Sequence, residues 1–221
     1  MSFRYVLIDV DDTLLDWHKS ATLAMQRSFA AVGRPFPEHL PEVFFDVNEE
    51  LWRQIERGEL DKPGLYAIRW DRVFAKAGID LDGPSFEKHF LAALPTCAVP
   101  VAGAVELLRR LAGKYVLCAA SNASHAQQMS RLRTAGIEGF FDHVFTSERM
   151  GAEKPSRAFF DACIRELGSP DLCEIAFIGD SPTADVAGAR EAGLYCIHFD
   201  WRRHGPCGAD LTVSSLDEIP L

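Results

Sequence analysis

The sequence predicts an α/β protein, a doubly wound parallel sheet interrupted by an inserted bundle of helices. Three observations predict it. Residues 3–8 (Phe-Arg-Tyr-Val-Leu-Ile) are an apolar, β-branched and aromatic run that stops abruptly on Asp9-Val10-Asp11-Asp12-Thr13, the pattern of a buried strand with polar groups at its end. From residue 16 to about residue 96 the hydrophobic period is helical throughout. After Pro100 short apolar runs alternate with helical stretches, and strands separated by helices of about 10–15 residues imply βαβ units and a parallel sheet.

The helical interval reads as four helices. Ala21, Ala24, Met25, Ser28, Phe29 and Val32 form a stripe that Gly33 ends. Leu40, Val43, Phe44, Val47, Leu51 and Ile55 form a second, closed by Gly58. Asp61 and Pro63 open a third, carrying Leu65, Ile68, Val73 and Phe74, which Gly78 stops. Ser85 is expected to cap a fourth, with Phe86, Phe90 and Leu94 inward. A connection of roughly 80 residues is too long for a loop and should pack on itself. The expected division is therefore a core of residues 1–15 and 97–221 and a helical domain of residues 16–96.

In the second part, helices are expected at 101–111, 124–135, 156–167 and 183–192. Strands are expected at 115–120, 143–145, 174–178, 195–199 and 211–213. Residues 201–209, with two Gly, a Pro and three basic residues, read as an irregular surface loop.

The chain has 221 residues, 48% of them hydrophobic and 25% charged, which suits a soluble protein with a real core. A net charge of -9 argues against nucleic acid and anionic membranes as partners, both of which need a basic surface. There is no run of 18 apolar residues, and Met1-Ser2-Phe3-Arg4 leads straight into a strand, so neither a span nor a leader is expected. The six cysteines are scattered without a C-x-x-C pair and read as reduced thiols. The expectation is a cytoplasmic monomer or homodimer.

Three strand ends carry polar groups: Asp9 and Asp11, Ser121 and Asn122, and Gly179-Asp180 with Asp185. Lys154 precedes a helix between the last two. Each piece alone has a plain explanation, such as a solvated turn, a helix cap or an exposed lysine. Right-handed crossovers, however, bring such strand ends to one rim. Four carboxylates and one lysine there sum to -3, a balance that a divalent, oxygen-loving cation such as Mg²⁺ would relieve.

These residues resemble the haloacid dehalogenase-like hydrolases. Asp9-Val10-Asp11-Asp12-Thr13 is similar to the family's D-x-D-x-T, Ser121 to its second motif and Lys154 to its third. Gly179-Asp180 with Asp185 is similar to its G-D-x-x-x-x-D, and the helical insertion resembles its cap of the first class. The resemblance implies a Rossmann-like core with a helical-bundle cap acting as a hinged lid. It implies an Asp9 nucleophile that forms an aspartyl-phosphate and an Asp11 that protonates the leaving oxygen and then deprotonates the hydrolytic water. It also implies Mg²⁺ held by Asp9, the Asp11 carbonyl and Asp180, with Asp185 helping to position the ion or its waters. Ser121 would then bond a phosphoryl oxygen, and Lys154 would neutralise Asp9 and the phosphate.

Residues 51–60 with Arg69-Trp70, and the tail of residues 211–216, resemble the noncanonical pyrimidine 5′-nucleotidases, while N-acylneuraminate-9-phosphatases share much of the architecture. The expected activity is hydrolysis of a small phosphate monoester, a pyrimidine nucleoside 5′-monophosphate or else a sugar phosphate. Asn122, Trp17, Arg53 and Arg69 are candidate substrate contacts. Against that, Trp17 has a reading as a hinge-packing residue, and the two arginines as solvated or salt-bridged surface groups. A metal-free 2-haloacid dehalogenase is disfavoured because Asp11 stands where those enzymes place Tyr, and an acid is of little use when halide leaves. A non-catalytic descendant would lack part of the set, and a phosphomutase would share the covalent intermediate.

Overall fold

A computed structural model of the chain describes residues 2–221 and divides them into two compact units, residues 2–17 with 98–221, and His18–Cys97. The first is a parallel six-stranded sheet: β1 (Tyr5–Ile8), β2 (Val116–Ser121), β3 (His143–Thr146), β4 (Ile175–Gly179), β5 (Tyr195–Phe199) and β6 (Leu211–Val213). The order across the sheet is β3-β2-β1-β4-β5-β6, and every pairing is parallel. This is the predicted fold class. Side chains on β1 alternate between two cores, with Val6 and Ile8 in one and Tyr5 and Leu7 in the other. Burial on both faces is why these strands are continuously apolar.

The topology decides where a ligand can sit. From β1 the order runs one way to β2 and β3, then returns past β1 to β4, β5 and β6. The neighbours of β1 therefore diverge at its carboxyl end, the crevice that open α/β sheets use for ligands. Ile8 pairs with Ala119 on one side and Ile178 on the other, so Asp9 lies one residue beyond, in that crevice.

Two of the helices flanking the sheet depart from expectation at their starts. The helix expected from residue 101 begins later, as α5 (Ala104–Leu111). Gly103 precedes it with φ +83°, a conformation an L side chain rarely adopts. α6 (His125–Thr134) and α8 (Arg157–Glu166) fall where the sequence places them, the latter capped by Ser156, which accepts from the Ala158 N–H. A short helix, α7 (Ser147–Met150), was not expected. The helix expected at 183–192 is a π-helical turn, Pro182–Ala187, running into α9 (Gly188–Glu191).

The second unit contains most of α1 (Trp17–Ala31), with α2 (Leu40–Glu56), α3 (Lys62–Ala77) and α4 (Gly83–Ala93). Asp61 caps α3 by accepting from the Gly64 N–H, and Gly78 ends it at φ +68°. Asp82, not Ser85, caps α4. Its side chain accepts from the Ser85 N–H, so the expected cap residue is the third residue of the helix and the donor in the bond. The interior is aromatic: Phe44, Trp70, Phe74, Phe86 and Phe90 meet with ring centroids 4.5–5.3 Å apart.

Within that interior lies an ion pair. Arg69 is 2% exposed and donates to Glu87 at 2.5 and 3.1 Å and to Asn48 at 3.0 Å, with its guanidinium over the rings of Phe44, Tyr66 and Phe90. Arg53, by contrast, is exposed and pairs with Glu49 along α2. Arg69→Ala would leave the Glu87 carboxylate buried without its cation, so it is expected to cost about 3–5 kcal/mol in urea unfolding. Arg53→Ala should cost less than about 1 kcal/mol. Equal losses for the two variants would refute the assignment of Arg69 to the interior.

Candidate active site

Lys154 joins the rim together. Its side chain is 3% exposed, and Nζ donates to Asp9 Oδ1 at 2.6 Å, Asp185 Oδ1 at 2.7 Å and the Ala120 carbonyl at 2.9 Å. Those three acceptors come from the ends of β1 and β2 and from the turn after β4. A buried ammonium is tolerable only when all its protons are answered. Here the three acceptors answer all three.

Asn122 fixes where that lysine starts. Its Oδ1 accepts from the Lys154 N–H at 2.8 Å and its Nδ2 donates to the Lys154 carbonyl at 2.9 Å. The amide expected at a substrate is thus occupied at both ends by the Lys154 backbone. Ser121 is buried, its Oγ accepting from the Ala123 N–H, and Ser147 Oγ donates to the Asn122 carbonyl.

The π-helical turn places Asp185. The Val186 N–H reaches back five residues to the Ser181 carbonyl at 3.0 Å, while Asp185 Oδ2 accepts from the Ser181 N–H at 3.1 Å. One extra residue in a turn re-aims the side chains it carries. Gly179 is required opposite it, because a Cβ there would sit 2.5 Å from the Asp185 carboxyl carbon. Thr13 Oγ1 donates to Asp180 Oδ1 at 3.3 Å, and the His198 Nε2–H donates to the Asp180 carbonyl at 3.0 Å.

Ligand oxygens of Asp9, Asp180 and Asp185 all lie within 4.8 Å of one another. Three carboxylates against the one ammonium of Lys154 leave two uncompensated negative charges. Burial pushes the Asp9 carboxyl up to about 8, with Asp185 and Asp11 adding to the rise and Lys154 opposing it. Burial also raises Asp180 well above the ordinary range, with Asp9, Asp185 and Asp12 adding their repulsion. A cluster of hard oxygen donors short of two positive charges fits a divalent cation such as Mg²⁺.

The sequence counts Asp11 among the uncompensated carboxylates, but in the structure Asp11 Oδ1 is ion-paired with Arg131, which is fully buried on α6. Gln128 Nε2 approaches Asp11 Oδ2 at 3.5 Å, and the Arg131 guanidinium lies 5.5 Å from the centroid of the half-buried Trp17 ring. Asp12, at φ +64°, accepts from the Trp17 N–H at 2.9 Å and pairs with Arg202. Burial raises Asp12 to about 6 despite that arginine.

Arg131, Gln128, Arg202 and His198 escaped the sequence reading. One signal was available: Gln128, Arg131 and Leu132 are the buried positions of α6. Two polar residues on the inward stripe of an amphipathic helix mark a polar site beneath it.

With the geometry in hand, comparisons place the chain. The model of the haloacid dehalogenase-like hydrolases matches residues 3–193. The chain belongs to that family. It is 28% identical to the pyrimidine 5′-nucleotidase PynA of Streptococcus pneumoniae, over 90% of this chain and 85% of that protein. It is 27% identical to the pyrimidine 5′-nucleotidase YjjG of Escherichia coli, over 99% and 97%. The crystal structure of the HAD-hydrolase YfnB from Bacillus subtilis, bound to magnesium, superposes with a TM-score of 0.92 at 26% identity, covering 99% and 97%. Among the described residues of this hydrolase, no helix is long and apolar enough to cross a membrane.

The raised Asp9 has a consequence for stability. A carboxyl whose folded pKa lies near 8, above an unfolded value near 3.8, binds its proton more tightly when folded. Its contribution to stability is therefore largest below about pH 4 and is lost as pH rises to about 8. In EDTA, Tm is expected to fall between pH 5 and pH 8, and Asp9→Asn should flatten that fall. Parallel pH profiles for the two proteins would contradict the assignment.

Proposed function

We propose that this chain is a Mg²⁺-dependent phosphomonoesterase working through an aspartyl-phosphate, with pyrimidine nucleoside 5′-monophosphates as substrates. The observation that carries the reading is the Asp9, Asp180 and Asp185 cluster, in which Lys154 ties Asp9 to Asp185, with Asp11 two residues from Asp9 on the same rim. The two pyrimidine 5′-nucleotidases among the relatives support the substrate class, and the magnesium-bound relative supports the metal.

In the first half-reaction a carboxylate oxygen of Asp9 bonds to phosphorus as the ester P–O bond breaks, and Asp11 gives its proton to the departing alkoxide. In the second, water attacks the same phosphorus and its proton goes to Asp11. The Asp9–phosphorus bond breaks, inorganic phosphate leaves and Asp9 is restored. Lys154 offsets the charge gathered around Asp9 throughout, and Ser121 is assigned to a phosphoryl oxygen. Asp9, the Asp11 carbonyl, Asp180 and Asp185 would hold Mg²⁺, which would supply positive charge to neutralise the phosphoryl group. A reaction of this kind depends on alignment, which buried, fully paired side chains provide. Asp11 also favours phosphate esters over haloacids, since an alkoxide needs a proton to leave and a halide does not. We assign choice among leaving alcohols to the helical unit as a cap, with Arg53 as its candidate contact, and to Trp17 of the first unit.

The test is phosphate release from uridine 5′-monophosphate, set beside sugar phosphates and acyl-sugar phosphates. Uridine 5′-monophosphate should be turned over fastest, EDTA should abolish release and Mg²⁺ should restore it. Asp9→Asn and Asp180→Ala should each lower kcat by about 10³-fold or more on every substrate. Preference for a sugar phosphate would replace the substrate reading. Chloride release from 2-chloropropionate that survives EDTA would overturn the phosphatase reading itself.

A further inference from the structure

Arg131 is an anomaly of placement. It is fully buried on α6, between Gln128 and Leu132, where an apolar side chain would complete the inward stripe. Its Nη1 is paired with Asp11 and donates to Gln128 Oε1 at 3.3 Å, yet among the described residues Nε and Nη2 have no hydrogen-bond partner. Burying a guanidinium with donors unanswered is costly, and an apolar replacement is often the more stable choice. Unsatisfied groups of this kind call for an explanation other than stability.

Asp11 supplies one. It sits at the rim, about a third exposed, and its side-chain partners among the described residues are Arg131 and Gln128. Arg131 grips one carboxylate oxygen, while Gln128 approaches the other and is itself held by Arg131. The Trp17 ring closes over the guanidinium. We propose that Arg131 is the positioning residue for Asp11, aiming that carboxyl group at the oxygen of the leaving alcohol. The proposal rests on the reading of Asp11 as acid and base, and adds to it the group that orients Asp11.

The expected signature depends on the leaving group. An alkoxide needs the proton from Asp11, whereas p-nitrophenolate is stable enough to leave without it. Since kcat/KM reports events up to formation of the aspartyl-phosphate, loss of aim should depress it for an alkyl phosphate and spare it for p-nitrophenyl phosphate. Misplacement by about 1 Å costs on the order of 10²-fold.

The experiment measures kcat/KM for p-nitrophenyl phosphate and for the alkyl phosphate that the wild type hydrolyses best, on the same Mg²⁺-loaded sample. Their ratio is independent of the fraction of protein that is folded and active. Arg131→Met should lower the alkyl value about a hundredfold and the aryl value less than about threefold. Arg131→Lys, which keeps a charge and donor, should give a ratio between those of wild type and Arg131→Met. Should Arg131→Met fail to fold, Arg131→Lys and Gln128→Leu carry the same test, each expected to shift the ratio in the same direction. Asp11→Asn is the control. If it collapses the ratio while the Arg131 and Gln128 variants leave it at the wild-type value, Arg131 is structural only and the proposal is wrong. If Asp11→Asn leaves the ratio unchanged, the acid/base reading of Asp11 is wrong and the positioning role falls with it.

Discussion

The site depends on one buried cation. The Lys154 ammonium draws Asp9 from β1, the Ala120 carbonyl from β2 and Asp185 from the turn after β4 to a single point. Neither the ammonium nor the two carboxylates could be buried alone, because the desolvation of a charge exceeds what a single contact returns. The surrounding geometry follows from keeping this point assembled. Asn122 clamps the lysine backbone, the π-helical turn delivers Asp185, and Gly179 leaves room for it.

Two further ion pairs divide the remaining charge at the rim. Asp11 is answered by Arg131 and Asp12 by Arg202, so that the deficit is confined to Asp9, Asp180 and Asp185. An acidic chain of net charge -9 thereby concentrates an unmet need for positive charge at the crevice where the sheet order reverses. Burial raises the pKa values of Asp9 and Asp180, and repulsion among the clustered carboxylates adds to the rise, with Lys154 only partly opposing it at Asp9.

The helical unit obeys the same accounting with a different result. Arg69, Glu87 and Asn48 form a closed set inside an aromatic interior, so the cation there leaves no net charge to be filled. A buried polar set of this kind restricts how the helices can be registered, because a shifted packing would strand one of its members.

The sequence by itself determined the fold class and the order of the motifs, because both rest on local patterns. Continuous apolar runs reveal strands buried on both faces, a helical period reveals helices, and carboxylates at a strand end reveal a rim. Residues such as Asp61, Gly78 and Ser156 mark helix ends through bonds to their immediate neighbours, and so were legible. Asp82 was a near miss for the same reason, since Asp82 and Ser85 offer similar caps three residues apart. Only the tertiary structure decided the partners. Arg131 and Asp11 lie 120 residues apart in the chain, Arg202 and Asp12 190, and Lys154 and Asp9 145. A surface arginine and a buried one look alike in a sequence, as Arg53 and Arg69 do. What separates them is which opposite charges the fold brings within reach and how much water it removes, and no local period encodes either.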